Sequence, residues 1–323
     1  MSSNLFFVLS GLICLYFGAE WLVSGTTSLA RRMGIPALLV GLTVVAFGTS
    51  APEVVVGINA ALSGHGDLAI GNILGSNIAN IGLIMGLSLI LTPAEINREV
   101  IYREVPMLIL SVVLLATVFI DGRVSRVEGT VLIAAALMYV GWMIRDAARS
   151  RRDAAMVALT SNEAAMDAGG ISGRGVRSLV IFSIVGVLGL ALGAELLVDG
   201  ASAIAQELGM SERLVGLTIV AVGTSLPELA ASVIAAVRGH SDVVVGNVIG
   251  SNIFNVLLCL GAAATFAPIT FNRDGIWIDI VVCIVATLFI SGLIRRGRPI
   301  SRWYGCALIL GYMGYLVLTL SRL

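Results

Sequence analysis

The chain has 323 residues, of which 58% are hydrophobic and only 12% charged, and its mean hydropathy is +0.99. That composition excludes an ordinary soluble domain, whose surface needs far more charge. The 20 basic and 20 acidic residues cancel, so the basic footprint of a nucleic-acid binder is absent too.

Apolar runs of roughly 20 residues, the length of a transmembrane helix, separate clumped charges. The pattern predicts an all-α integral membrane protein with ten spans, over about 4–27, 36–62, 67–91, 104–120, 127–147, 176–203, 211–237, 242–267, 274–294 and 300–320. The first 25 residues have no positive n-region and Glu20 interrupts them, so they read as the first span rather than a signal peptide. Residues 149–175 are the one long polar stretch and read as a cytoplasmic linker between halves 1–148 and 176–323. Every basic residue is an arginine. If the N-terminus is outside, most of them, including Arg31, Arg32, Arg103, Arg145, Arg149, Arg238 and Arg295, fall on inner loops. Both termini are therefore expected on the non-cytoplasmic side of a cell (inner) membrane. Cys14, Cys259, Cys283 and Cys306 have no metal-ligand or disulfide spacing and read as small buried hydrophobes.

The halves are copies. Gly48-Thr49-Ser50-Ala51-Pro52-Glu53 recurs as Gly223-Thr224-Ser225-Leu226-Pro227-Glu228, an offset of 175 residues. At the same offset Gly18-Ala19-Glu20 recurs as Gly193-Ala194-Glu195, and the run from Gly71 to Asn80 as that from Gly246 to Asn255. Five spans per half is an odd number, so the second half enters the membrane from the opposite side. Two inverted five-helix repeats are an architecture of secondary transporters, which place substrate near the midplane.

Glu53 and Glu228 lie near the centres of their spans, where an ionisable residue is costly and marks function. Pro52 and Pro227 lack an N–H and disfavour helix at the preceding residue. A break is expected around Gly48 to Ala51, leaving the carbonyls of Ala46, Gly48 and Thr49 without partners. A new half-helix then starts at Pro52 with Ser50 as its cap, and its positive end lies beside Glu53. Ala221, Thr224 and Ser225 repeat the arrangement for Glu228.

In the next spans Asn72, Ser76 and Asn80 share one helix face, as do Asn247, Ser251 and Asn255. Ser76, Asn80, Ser251 and Asn255 read as site residues. Asn72, Asn77, Asn247 and Asn252 read equally as helix-to-helix contacts. Gly71, Gly75, Gly246 and Gly250 read as points of close helix approach. All the converging donors are hard oxygens, which suit calcium or sodium, and two carboxylates match one Ca²⁺. Emptied of calcium, they need sodium ions or protons for neutrality, which is the basis of antiport. Paired aspartates for proteolysis are missing, and both histidines, His65 and His240, sit in loops, so an intramembrane enzyme is not expected. Their place suggests loop structure, with pH sensing as the alternative. Glu20 and Glu195 either line an access route or anchor their helices, and Asp199 stands opposite Ser24 in the repeat.

Gly-Thr-Ser-x-Pro-Glu and Gly-Ser-Asn-Ile-x-Asn, each present twice, resemble the motifs of the cation/calcium exchanger superfamily, in its prokaryotic sodium/calcium exchanger-like branch. The resemblance spans essentially the whole chain. It implies ten helices, with the second, third, seventh and eighth forming the ion-binding core and the first and sixth sliding across it. It implies Ca²⁺ exchange for Na⁺, with Ca²⁺/H⁺ antiport on the same glutamates as the alternative, and no cofactor beyond the transported ions. No nucleic acid or obligatory protein partner is expected, only the ions and the bilayer. It further implies Glu53 and Glu228 as central calcium ligands, with the Thr49 and Thr224 carbonyls beside them. Ser50, Ser76, Ser225 and Ser251 then line sodium sites, and the Ala46 and Ala221 carbonyls serve the outer ones. One departure stands out: those exchangers carry an aspartate where this chain has Asn255, while Asn80 agrees with their pattern.

Overall fold

Lipid offers the backbone no hydrogen bonds, so long apolar runs must satisfy their own N–H and C=O groups by winding into helices. The computed structural model describes residues 2–94, 100–160, 175–209 and 221–321. Helix α1, Ser2–Met33, ends at Gly34, whose φ of 64° turns the chain into α2, Ala37–Thr49. After a 42° bend comes α3, Ala51–Leu62. There follow α4 (Gly66–Leu91), α5 (Val100–Val118), α6 (Arg126–Thr160), α7 (Val176–Glu207) and α8 (Leu226–Val237). The chain ends in α9 (Ser241–Phe266), α10 (Arg273–Arg295) and α11 (Arg302–Leu320). Among the described residues seven helices are long and apolar enough to cross a membrane, or eight if the bent pair α2–α3 is one span.

One expectation is refined here. Helix α6 continues to Thr160, so the first part of the expected linker 149–175 is helical; its Ala, Arg, Met and Leu content favours helix without any apolar stripe. Residues 161–174 lie outside the described residues, as does the start of the expected span 211–237.

The centre of the fold is α4 and α9, whose apolar windows are 78% and 94% buried, against 33% for α1 and α7 at the periphery. Those two peripheral helices lie against each other along a seam of Gly11, Gly18 and Gly25 facing Gly186, Gly193 and Gly200. A Cβ on Gly18 would sit 2.7 Å from the Leu190 nitrogen, and one on Gly193 2.7 Å from the Leu15 nitrogen. Small residues let backbones touch where lipid supplies no hydrophobic drive between helices. At one end of the seam Asn4 donates to Glu207 at 2.8 Å.

The outer helices are tied by polar bonds at matching places in the two halves. Tyr139 of α6 donates to Glu104 of α5 at 2.9 Å, and Tyr315 of α11 donates to Asp279 of α10 at 3.0 Å. A hydroxyl–carboxylate bond gives each group a partner inside an apolar layer. The connecting segments pair likewise: β1 (Arg123–Val124) joins β2 (Ile269–Thr270) antiparallel, and Ala94 pairs with Ile300. Each half thus contributes one strand to a residue pair with the other.

Candidate cation site

The sequence breaks both carboxylate-bearing helices in the same way. Ser50 leaves helical geometry at φ −81°, ψ 6°, and Ser225 at φ −88°, ψ 5°. Each proline then occupies the first turn of the new helix, where its missing N–H costs nothing, and each glutamate lies in that turn at the positive end of the helix dipole.

The break falls at Ser50, inside the expected stretch from Gly48 to Ala51, and the new half-helix starts at Ala51, one residue before the expected Pro52. Ser50 sits at the cap position, yet its hydroxyl makes no cap bond. It donates instead across the molecule to Glu228 Oε1 at 3.0 Å, and Ser225 donates to Glu53 Oε1 at 3.4 Å. A cap bond would use the hydroxyl oxygen as acceptor for a backbone N–H; here the hydroxyl proton goes to a carboxylate in a charge-assisted bond. This exchange of hydroxyls brings the two repeated motifs together and sets both glutamates, each 1% exposed, in one buried cluster.

Ser76 completes the Glu53 side: Ser225 also reaches its hydroxyl at 3.3 Å. Thr49 donates to Asn247 Oδ1 at 3.5 Å, and Thr224 to Asn72 Oδ1 at 3.4 Å. Those asparagines turn their amide nitrogens to the helices that carry the carboxylates. Asn72 donates to the Glu53 carbonyl at 3.3 Å, and Asn247 to the Glu228 carbonyl at 3.4 Å and to Ser232 at 2.9 Å. Sequence reasoning left Asn72 and Asn247 equally as helix contacts, yet they brace the site. The signal that could have found them is their place one turn before Ser76 and Ser251.

Several buried oxygens remain without a hydrogen-bond partner among the described residues: Oε2 of Glu53, Oε2 of Glu228, Oδ1 of Asn80 and Oγ of Ser251. Four oxygen acceptors left bare in one apolar interior are costly unless something cationic meets them. Asn255 differs from Asn80, because its amide is engaged by Asn77 and Cys259.

Ala46 is a weaker fit than expected. Its carbonyl accepts the Ser50 N–H at 3.1 Å and the Thr49 hydroxyl at 3.4 Å, so the break does not free it. In the other half the Ser225 N–H goes to the Val222 carbonyl at 3.1 Å, leaving Ala221 outside that bond.

Both α4 and α9 widen into π-helical turns that begin at the site asparagines, Asn80–Met85 and Asn255–Leu260. Such turns gather at functional sites because they re-aim side chains and loosen carbonyl pairing. Nothing in residue spacing announced them. Gly246 and Gly250 do permit close approach, since a Cβ on either would lie 2.7 Å from the Leu38 or Leu42 carbonyl oxygen. Gly71 and Gly75 have no such neighbour among the described residues.

The remaining polar residues divide. Glu20 forms an ion pair with Arg238 and accepts from Ser24 at 3.3 Å, whereas Glu195 and Asp199 are exposed. His65 and His240 sit at equivalent turns before α4 and α9, without a side-chain cap bond. Burial first, then Arg31 and Arg238, holds His240 below its ordinary value. All four cysteines are free thiols.

Known proteins match this chain along nearly all of its length. The family model described as sodium/calcium exchanger protein matches residues 3–145 and 178–321. The putative antiporter CaxA of Alkalimonas amylolytica is 39% identical, covering 98% of both chains. The sodium/calcium exchanger MaX1 of Methanosarcina acetivorans is 31% identical over 97% of both, and the inner membrane protein YrbG of Escherichia coli 33% identical over 95% of this chain and 94% of its own. Among solved structures, the sodium-calcium exchanger NCX_Mj soaked with 2.5 mM Na+ and 0.1 mM Ca2+ superposes with a TM-score of 0.82 at 32% identity, covering 97% of each chain. With its apolar helices, these matches make the chain a multi-pass membrane protein of transporter kind. It belongs to the sodium/calcium exchanger protein family.

Proposed function

We propose that the chain is a secondary antiporter that exchanges Ca²⁺ for Na⁺ by alternating access at the Glu53–Glu228 cluster. The observation that carries this reading is the pair of crossed bonds, Ser50 to Glu228 and Ser225 to Glu53, together with the bare buried oxygens around them. Two carboxylates with hydroxyl and amide oxygens make a hard-donor cage of the kind that Ca²⁺ fills with about six to eight oxygens. In this reading Thr49 and Thr224 add carbonyls, and Ser76, Ser251 and Asn80 add side-chain oxygens. When calcium leaves, two buried carboxylates demand other cations, so the site returns across the membrane only when refilled.

The two halves are ten transmembrane helices in two inverted repeats. Support comes from bonds that recur in matched pairs at the site, between the outer helices and between the short strands. Arginine placement puts both termini on the non-cytoplasmic side of the inner membrane. Transport by the relatives named above as sodium/calcium exchangers also favours sodium as the counter-ion.

Ca²⁺/H⁺ antiport on the same glutamates is the second reading, favoured by Asn255 standing where an aspartate is expected. Radioactive calcium uptake into proteoliposomes separates them. A sodium gradient that drives uptake at equal pH on both sides supports sodium exchange; uptake driven by a pH gradient alone supports proton exchange and overturns the first reading.

A further inference from the structure

The ion pair of Glu20 and Arg238 sits where the two halves pack differently. Helix α1 lies along α8, and α7 packs against α8 as well. Helix α3 is the counterpart of α8 in the first half, yet neither α1 nor α7 makes a comparable contact with it. Exposure follows that difference. Ala51, Val55, Asn59 and Leu62 share one face of α3 and are exposed, whereas their counterparts Leu226, Ala230 and Ile234 on α8 are partly covered.

Arg238 ties α1 down on the packed side. Its partner Glu20 also accepts from Ser24 at 3.3 Å, one turn along the same helix. The repeat places Glu195, Asp199 and Ser63 where the first set has Glu20, Ser24 and Arg238. A carboxylate held by a cation and a hydroxyl is thus replaced by two exposed carboxylates one turn apart, which repel each other. Among the described residues no cation pairs with Glu195. The glycine seam joins α1 to α7 backbone to backbone, so a bond that holds α1 also holds α7.

An alternating-access carrier covers α3 and α8 in turn. The balance between its two arrangements is set by interactions that only one of them contains. We infer that the Glu20–Arg238 pair is a one-sided lock, which keeps α1 and α7 on α8 and makes the exchanger bind Ca²⁺ more readily from the side where α3 is uncovered. By the arginine placement above, that side is the non-cytoplasmic one. The inference rests on the antiport reading and adds its sidedness. Glu20 and Arg238 are positioning residues in it, because they act through the helices rather than on the ion.

Deuterium uptake by the detergent-purified full chain reads the balance without transport. Peptides from α3 are expected to take up deuterium faster than those from α8. Arg238→Ala should speed uptake in α8 and slow it in α3. The slowing at α3, on the other side of the molecule, is the change that loss of a merely structural pair would not produce. Ser63→Arg supplies the missing cation opposite Glu195 on a backbone of the same geometry, and should shift both helices in the same directions. Glu20→Arg combined with Arg238→Glu rebuilds the pair in reverse and should restore the native pattern. Uptake in α3 that is unchanged by both Arg238→Ala and Ser63→Arg overturns the lock.

Half-saturating Ca²⁺ is then measured at each face of vesicles in which the protein has one known orientation. The native chain is expected to need more Ca²⁺ at the cytoplasmic face. Arg238→Ala should lower the ratio of cytoplasmic to outer values by about 1.4-fold to fivefold, the range of a partly exposed ion pair. A ratio equal to that of the native chain overturns the inference. Variants that shift deuterium uptake as expected while no chain, native included, moves calcium would refute the antiport reading and leave the lock standing.

Discussion

The two halves of the molecule agree in the bonds that their repeated motifs exchange and differ in the asparagines that open the π-turns and at the helix ends. Ser50, Thr49 and Asn247 around Glu228 are answered by Ser225, Thr224 and Asn72 around Glu53, bond for bond. Arg238 and Ser63 have the same backbone, at φ −80°, ψ 0° and φ −82°, ψ 1°, each ending the helix that carries a glutamate. Yet Arg238 is ion-paired to Glu20 of α1, whereas Ser63 offers Glu195 of α7 no cation. Symmetry persists where the two motifs exchange hydroxyl bonds. It lapses at the π-turn asparagines and at the helix ends.

The largest effect is expected where the halves meet as bare backbone. Gly18→Leu or Gly193→Leu forces a side chain into space held by Leu190 or Leu15, and overpacking of that kind costs about 1–3 kcal/mol or more. Thermal unfolding in detergent should show a clear loss for both, and a similar one. Next come the crossed hydroxyls. Ser50→Ala and Ser225→Ala each leave a carboxylate oxygen without its donor, so calcium affinity should fall about 10-fold to 100-fold, as for other orienting bonds around a metal. Equal losses sharpen the comparison; a loss in only one would break it.

The unmatched end should respond weakly and on one side only. Arg238→Ala removes a pair that is half exposed on the arginine side, so the expected change is within about 0.2–1 kcal/mol. Glu195→Gln should change nothing comparable, and thermal shifts of the two variants make the comparison. Smallest is His240→Gln. Burial and nearby arginines favour the neutral imidazole in the folded chain. Folding is therefore opposed only as pH falls through about 6.5, the ordinary histidine value, and is unaffected above it. The variant should lose part of the acid-side decline in unfolding temperature and match the native chain at neutral pH.

Much of this was legible in the sequence because its signals are redundant. Apolar runs set the helices, two prolines set the breaks, and duplication pointed to Glu53 and Glu228 together. What stayed hidden depended on partners distant in the chain. Ser50 reads locally as a helix cap, and only the folded chain shows that its hydroxyl makes no cap bond and donates to a carboxylate 178 positions away. Ala46 reads as a freed carbonyl, but the turn closes on it. Glu104 and Asp279 sit in apolar runs whose tyrosine partners lie on a later helix, so spacing alone could not join them. The helical extension to Thr160 is hidden within the expected linker, because alanine and arginine wind well without an apolar face to mark the helix.

The central claim is that Glu53 and Glu228 share one calcium. The most direct measurement is radioactive calcium uptake by proteoliposomes carrying Glu53→Gln or Glu228→Gln, with folding checked by gel filtration and unfolding temperature. Loss of gradient-driven uptake in each folded variant alone is the predicted result. Native uptake in either one would contradict a shared site.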